Sequence, residues 1–206
     1  LVTAGLDTLA VRVPARASAR ALLAAVDRPI AAPSANPSGR ISPTTAQHVL
    51  DGLNGRIAAV LDDGPCDVGV ESTILSWNDG PVVLRAGGLA MEVIAQTLGR
   101  EVARAAVGAI TAPGQLSSHY APRAALRLNA QEGAPGELLI RFGDGPSEWS
   151  LSANGDLTEA AANLFALLHR ADAEAAQIAI MPIPETGLGA AINDRLRRAA
   201  APRDGV

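Results

Sequence analysis

An α/β fold is what this sequence predicts, on three observations. Apolar residues make up 48% of the 206 and aromatics only 2%, so the cores must be filled by Ala, Val, Leu and Ile, which suits helices layered on sheets. Runs of strand period are interleaved with helical stripes along the chain. In the second half, strand and helix signals alternate as they do in a largely parallel sheet.

Residues 8–14, TLAVRVP, alternate with a period of two, which predicts a strand with Thr8 and Arg12 on one face. Ser18 is placed to cap a helix through residue 27, and residues 29–32 read as a short buried strand entering the polar loop PSANPSGRISP. Ser42 followed by Pro43 predicts the next helix start, with Ala46, Val49, Leu50 and Leu53 as its apolar stripe. Strands are expected at residues 57–61, 72–77 and 82–85, with a Gly/Pro/Asp loop at 62–70 and a turn at 78–80. A helix over 90–98 should end at Gly99 in a left-handed cap. The chain opens at Leu1 and enters a strand-like run almost at once, which reads as a cut through a domain. Residues 1–100 are therefore expected to be the later portion of one domain, 101–122 a linker and 123–206 a small second α/β domain. That second domain should hold strands at 125–128, 137–141 and 178–183 and helices at 158–171 and 189–200.

Composition excludes several classes. A net charge of −4 argues against a protein that grips nucleic acid through many phosphates, although a small anionic ligand is compatible with it. All 17 basic side chains are arginines, clustered mainly at Arg195, Arg197 and Arg198. Cys66 stands alone, so no disulfide framework forms, and it reads as a small loop residue. His48, His119 and His169 lack ligand spacing, so no structural metal is expected. The apolar runs are too short to cross a bilayer and no secretory leader is read, which fits a cytoplasmic setting. No P-loop, dinucleotide-binding or nucleophile-elbow motif stands in a supporting context.

The loop Ser34-Ala35-Asn36-Pro37-Ser38-Gly39-Arg40 gathers hydroxyls, an amide and a guanidinium before a helix N-terminus, which suits an anion but equally suits an ordinary turn. In Gly69-Val70-Glu71-Ser72-Thr73 the carboxylate offers a general base or an ion-pair partner, and reads more simply as a solvated loop residue. Arg85 ends an apolar strand, where its fork suits phosphate or carboxylate, or a surface ion pair. Arg12 lies within an apolar run, where a charge needs a partner or a ligand.

Taken together, TLAVRVP, PIAAPSANPSGRISPT, GVEST, LRAG, SSHYAP and ETGLGAAINDRLRRAA resemble the threonylcarbamoyl-AMP synthase family in its long form. The resemblance implies a YrdC-like twisted mixed sheet with helices, here incomplete, joined by a linker to a small Rossmann-like domain. It implies condensation of L-threonine, bicarbonate and ATP, the last with magnesium, into threonylcarbamoyl-AMP and pyrophosphate. The product is the donor for a tRNA adenosine beside the anticodon, so tRNA is reached only indirectly. By motif, Arg12, Ser34 and Ser72 are expected to hold threonine, and Thr8, Asn36, Thr44, Arg85 and Tyr120 to contact ATP. Family members carry a lysine- and arginine-bearing motif ahead of TLAVRVP; that segment is not in this chain, which contains no lysine. Two alternatives remain open on sequence: a non-catalytic nucleotide- or threonine-binding domain, and an RNA-binding module.

Overall fold

The computed structural model describes residues 7–77, 79–105 and 118–202, together with Thr3 and Gly5. In chain order the elements are α1 (Ala17–Val26), α2 (Ala46–Leu53), β1 (Ile74–Ser76), β2 (Val82–Arg85), α3 (Met91–Leu98), β3 (Ala103–Arg104), β4 (Ala125–Arg127), β5 (Leu138–Ile140), α4 (Leu157–Glu174), β6 (Gln177–Ile180) and α5 (Gly189–Ala200). They form two three-stranded sheets. The first, ordered β1-β2-β3, is mixed, with an antiparallel β1/β2 pair and β3 parallel to β2. The second, ordered β4-β6-β5, is wholly parallel.

The second sheet carries the core. β6 lies between its neighbours and buries Ile178, Ala179 and Ile180. α4 lays Ala160, Ala161, Leu164, Phe165, Leu167, Leu168 and Ala171 into the same interior, the three-to-four spacing of a helix with one apolar side. Its start is fixed by Asp156, whose carboxylate accepts from the Glu159 amide at 2.8 Å. α5 adds Ala191, Ile192, Leu196 and Ala199. This core reaches into the first half of the chain, since Ile41 and Tyr120 belong to it and Val70 packs against it. Gly69 permits that approach: its φ is +72°, and a Cβ there would stand 2.0 Å from the Ala161 carbonyl oxygen.

Several expectations in the first half are corrected. Residues 8–14 form no strand, and Leu9, Val11 and Val13 are exposed, because no described strand lies alongside to complete a ladder. The same holds for 29–32 and 57–61. Arg12 is exposed, so it is not a charge inside an apolar strand. Among the described residues α1 is capped by neither Ser18 nor any other side chain, and the Ser18 hydroxyl donates to Asp63 at 2.7 Å. α2 begins later than Ser42-Pro43, with Thr45 as its cap accepting from the His48 amide. Ser42 turns inward instead. β1 is shorter than the expected 72–77, and β3 falls within the expected linker. The remainder of that linker from 106 to 117, and Asn78 of the expected turn, lie outside the described residues. β2 and α5 occupy their expected spans, and α3 ends at Gly99 with φ 62°.

Candidate functional site

Four separated segments meet at the face of the second core. The GVEST segment and the residues after β2 run against each other at van der Waals limit: a Cβ on Gly87 would meet the Glu71 carbonyl oxygen at 2.3 Å and the Thr73 nitrogen at 2.4 Å. The Gly88 amide donates to that Glu71 carbonyl at 2.9 Å, while the Thr73 hydroxyl donates to the Leu89 carbonyl at 2.6 Å. Arg85 closes the pair, its Nε and Nη2 donating to the Ser72 carbonyl at 3.3 and 2.8 Å. Ser72 and Arg85 are thereby brought together.

The segment 118–122 lies across these residues. The Ala121 amide donates to the Gly39 carbonyl at 2.8 Å, and the His119 amide to the Arg198 carbonyl at 3.2 Å, so the strap is tied to the PSANPSGR loop on one side and to α5 on the other. Tyr120 between them is 1% exposed and held at φ 62°. A bulky residue in the left-handed region stores about 1–3 kcal/mol of strain that the surroundings must hold. Its ring stacks obliquely on Phe165 at 5.5 Å, with the Arg195 guanidinium 5.6 Å from its centroid.

Arg195 was not expected here. It lies on α5 but is fully buried, Nε donating to Glu71 Oε2 at 2.9 Å and Nη1 to the Ala86 carbonyl at 2.6 Å and to Asp194 at 3.0 Å. Glu71 is thus an ion-pair partner and not a solvated loop carboxylate; its other oxygen accepts from Ser42 at 2.6 Å. Burial works to raise the Glu71 carboxyl, but Arg195 and the Ser42 hydroxyl outweigh it and hold its pKa below the ordinary value. Burial, and next the Arg195 charge, lower the Arg85 pKa. Burial and the Glu71 charge raise the Tyr120 phenol. The helical stripe Ala191, Ile192, Arg195, Leu196, Ala199 was the sequence signal that could have found Arg195.

Of the other residues singled out by sequence, Asn36 donates through Nδ2 to the carbonyls of Arg40 and Ile41 at 3.0 and 3.3 Å, and its Oδ1 is buried with no partner among the described residues. Thr44 is buried beside His48. Thr8, Arg12 and Ser34 are exposed.

Comparison with known proteins completes the picture. Residues 1–87 match the Sua5/YciO/YrdC family model described as "Telomere recombination", and residues 89–201 match "Threonylcarbamoyl-AMP synthase, C-terminal domain". The chain belongs to the threonylcarbamoyl-AMP synthase family. Curated family members similar to it include the threonylcarbamoyl-AMP synthases of Pyrococcus abyssi, 35% identical over 98% of this chain and 67% of the relative, and of Bacillus subtilis, 38% identical over 98% and 66%. Among solved family structures, P. abyssi Sua5 complexed with L-threonine matches with a TM-score of 0.78 and 34% identity, covering 96% of this chain and 65% of that one. A P. abyssi Sua5 variant with a consecutive histidine and tyrosine both changed to alanine matches with a TM-score of 0.81, at 33% identity over 95% and 64%. The chain therefore spans about two thirds of the length of these synthases.

Proposed function

We propose that this chain is part of an L-threonylcarbamoyladenylate synthase, a nucleotidyltransferase acting in the cytoplasm on L-threonine, bicarbonate and ATP. The threonine amine takes up the bicarbonate carbon with loss of water, giving a carbamate. A carbamate oxygen then attacks the α-phosphorus, the new P–O bond forming as the bond to the β-phosphate oxygen breaks and pyrophosphate leaves. Little covalent chemistry falls to the protein, whose tasks are to position the two ligands, stabilise charge and exclude water. Magnesium enters with the ATP phosphates. The threonylcarbamoyl-AMP is then passed to machinery that modifies tRNA.

In this reading residues 1–100 and 123–206 are two units joined by the linker 101–122. Arg12, Ser34 and Ser72 hold threonine; Thr8, Asn36, Thr44, Arg85 and Tyr120 contact ATP. The observation that supports it best is the strap, which buries Tyr120 against Arg195 and spans the Gly39 and Arg198 carbonyls. The chain has one tyrosine, preceded by a histidine, the same dipeptide type that was altered in the solved relative. The test is pyrophosphate release by the protein encoded by the gene, with each of L-threonine, bicarbonate and ATP omitted in turn. Release that needs all three is the expected result. Ligand binding without release would leave a non-catalytic binding domain.

A further inference from the structure

Arg195 is the largest fully buried side chain in the molecule's described residues, and it comes from the C-terminal half while its principal partners lie in the first. Its contacts fall on two of the segments that carry proposed ligand residues. Nε takes Glu71, the neighbour of Ser72, and Nη1 takes the carbonyl of Ala86, the neighbour of Arg85. The two segments are also sealed to each other through Arg85 and the Ser72 carbonyl and through Gly88 and the Glu71 carbonyl. A planar fork with divergent donors can fix two backbone segments at once, which an ammonium on a flexible stem cannot. The chain of contacts continues on both sides. Glu71 holds the Ser42 hydroxyl next to the PSANPSGR loop, and Asp194 ties Arg195 to Arg198, whose carbonyl receives the His119 amide of the strap.

We infer that Arg195 is a positioning residue of the site: through Glu71 and Ala86 the C-terminal domain sets the geometry of Ser72 and Arg85. The inference rests on the proposed synthase reading. It gives the second domain a part in ligand binding beyond carrying the linker. Arg195 Nη2 is buried with no hydrogen-bond partner among the described residues, so the guanidinium is held by Nε and Nη1 alone, on Glu71, the Ala86 carbonyl and Asp194.

The test is calorimetric titration with L-threonine and with ATP, and steady-state pyrophosphate release, on the gene-encoded protein and on Arg195→Met, Glu71→Gln and the double variant. Arg195→Met alone leaves the part-buried Glu71 charge without its cation and is expected to lower the melting temperature. In the double variant no charge is stranded, so the melting temperature should largely return. Both affinities should nevertheless stay about tenfold or more below the parent, because small displacements at a binding site are costly. A merely structural role would restore affinity together with stability, and that result overturns the inference. Should Arg195→Met fail to fold, Glu71→Gln cuts the same link, and affinities within twofold of the parent in that variant would overturn it equally. Arg197→Ala, which among the described residues removes an exposed pair with Glu185, should change neither affinity. If the unaltered protein itself binds no L-threonine, the synthase reading fails and takes this inference with it. If it binds L-threonine and every folded variant does too, only the inference fails.

Discussion

At the scale of single residues, the site depends on close approach and on forked donors. Three backbone atoms of the GVEST segment, from Glu71, Ser72 and Thr73, lie within 2.4 Å of where a Cβ on Gly87 would stand, so Gly87→Ala must push the residues after β2 away from GVEST. Overpacking of that kind costs about 1–3 kcal/mol, and the expected outcome is a lower denaturation midpoint together with weakened L-threonine binding by calorimetry. Arg85 donates twice to one carbonyl, which a lysine ammonium cannot reproduce in the same plane. Arg85→Lys should therefore fold normally yet bind ATP about tenfold more weakly, the scale of one lost charged hydrogen bond; unchanged ATP affinity would place Arg85 outside the ligand site. Sequence showed that Ser72, Arg85 and Tyr120 were worth attention through their motifs. It did not show Arg195, which sits in a run of arginines that reads as solvent-facing until its place on the apolar side of α5 is noticed. For Glu71 the ion pair is one of the readings its sequence allows, but a partner 124 residues away leaves no local signal that favours it over a solvated carboxylate.

Among elements, those of the second half were legible because each has its signal in its own sequence. α4 and α5 carry apolar stripes of helical period, and β4, β5 and β6 are short apolar runs between them. In the first half the strand-like pattern of residues 8–14 was genuine, but a strand exists only with a ladder partner, which no local pattern supplies. The contact between α2 and α4 was also invisible to sequence. His48 and His169 stack there with centroids 4.0 Å apart, and the His169 Nε2 donates to the Ser42 carbonyl at 3.1 Å. Burial lowers both pKa values, and for His48 the His169 charge lowers it further. A histidine whose folded pKa lies below its unfolded one stabilises the fold when neutral; that contribution is present above the unfolded value of about 6.5 and is lost as pH falls below it. The melting temperature should fall between pH 7 and 5. In the variant His48→Gln/His169→Gln the slope over that range should flatten, and an unchanged slope would remove these histidines from the account. Within α4, Leu164→Ala opens a cavity in the main core, and about 2–5 kcal/mol should be lost in chemical denaturation.

For the whole molecule, the two halves share one interior: Ile41, Val70 and Tyr120 enter the core built by the C-terminal sheet and helices. The strap and the chain Ser42, Glu71, Arg195, Asp194, Arg198 cross the same boundary. The residues proposed to bind ligand in the first half are thus in contact, through this chain, with the second, and a synthase acting on threonine, bicarbonate and ATP is the reading we propose for the arrangement. The most direct measurement is to supply the gene-encoded protein with ATP, L-threonine and carbon-13 bicarbonate and to follow the label by mass spectrometry. The account predicts labelled threonylcarbamoyl-AMP formed in step with pyrophosphate. Pyrophosphate without the labelled adduct, or bound ligands with neither product, would contradict it.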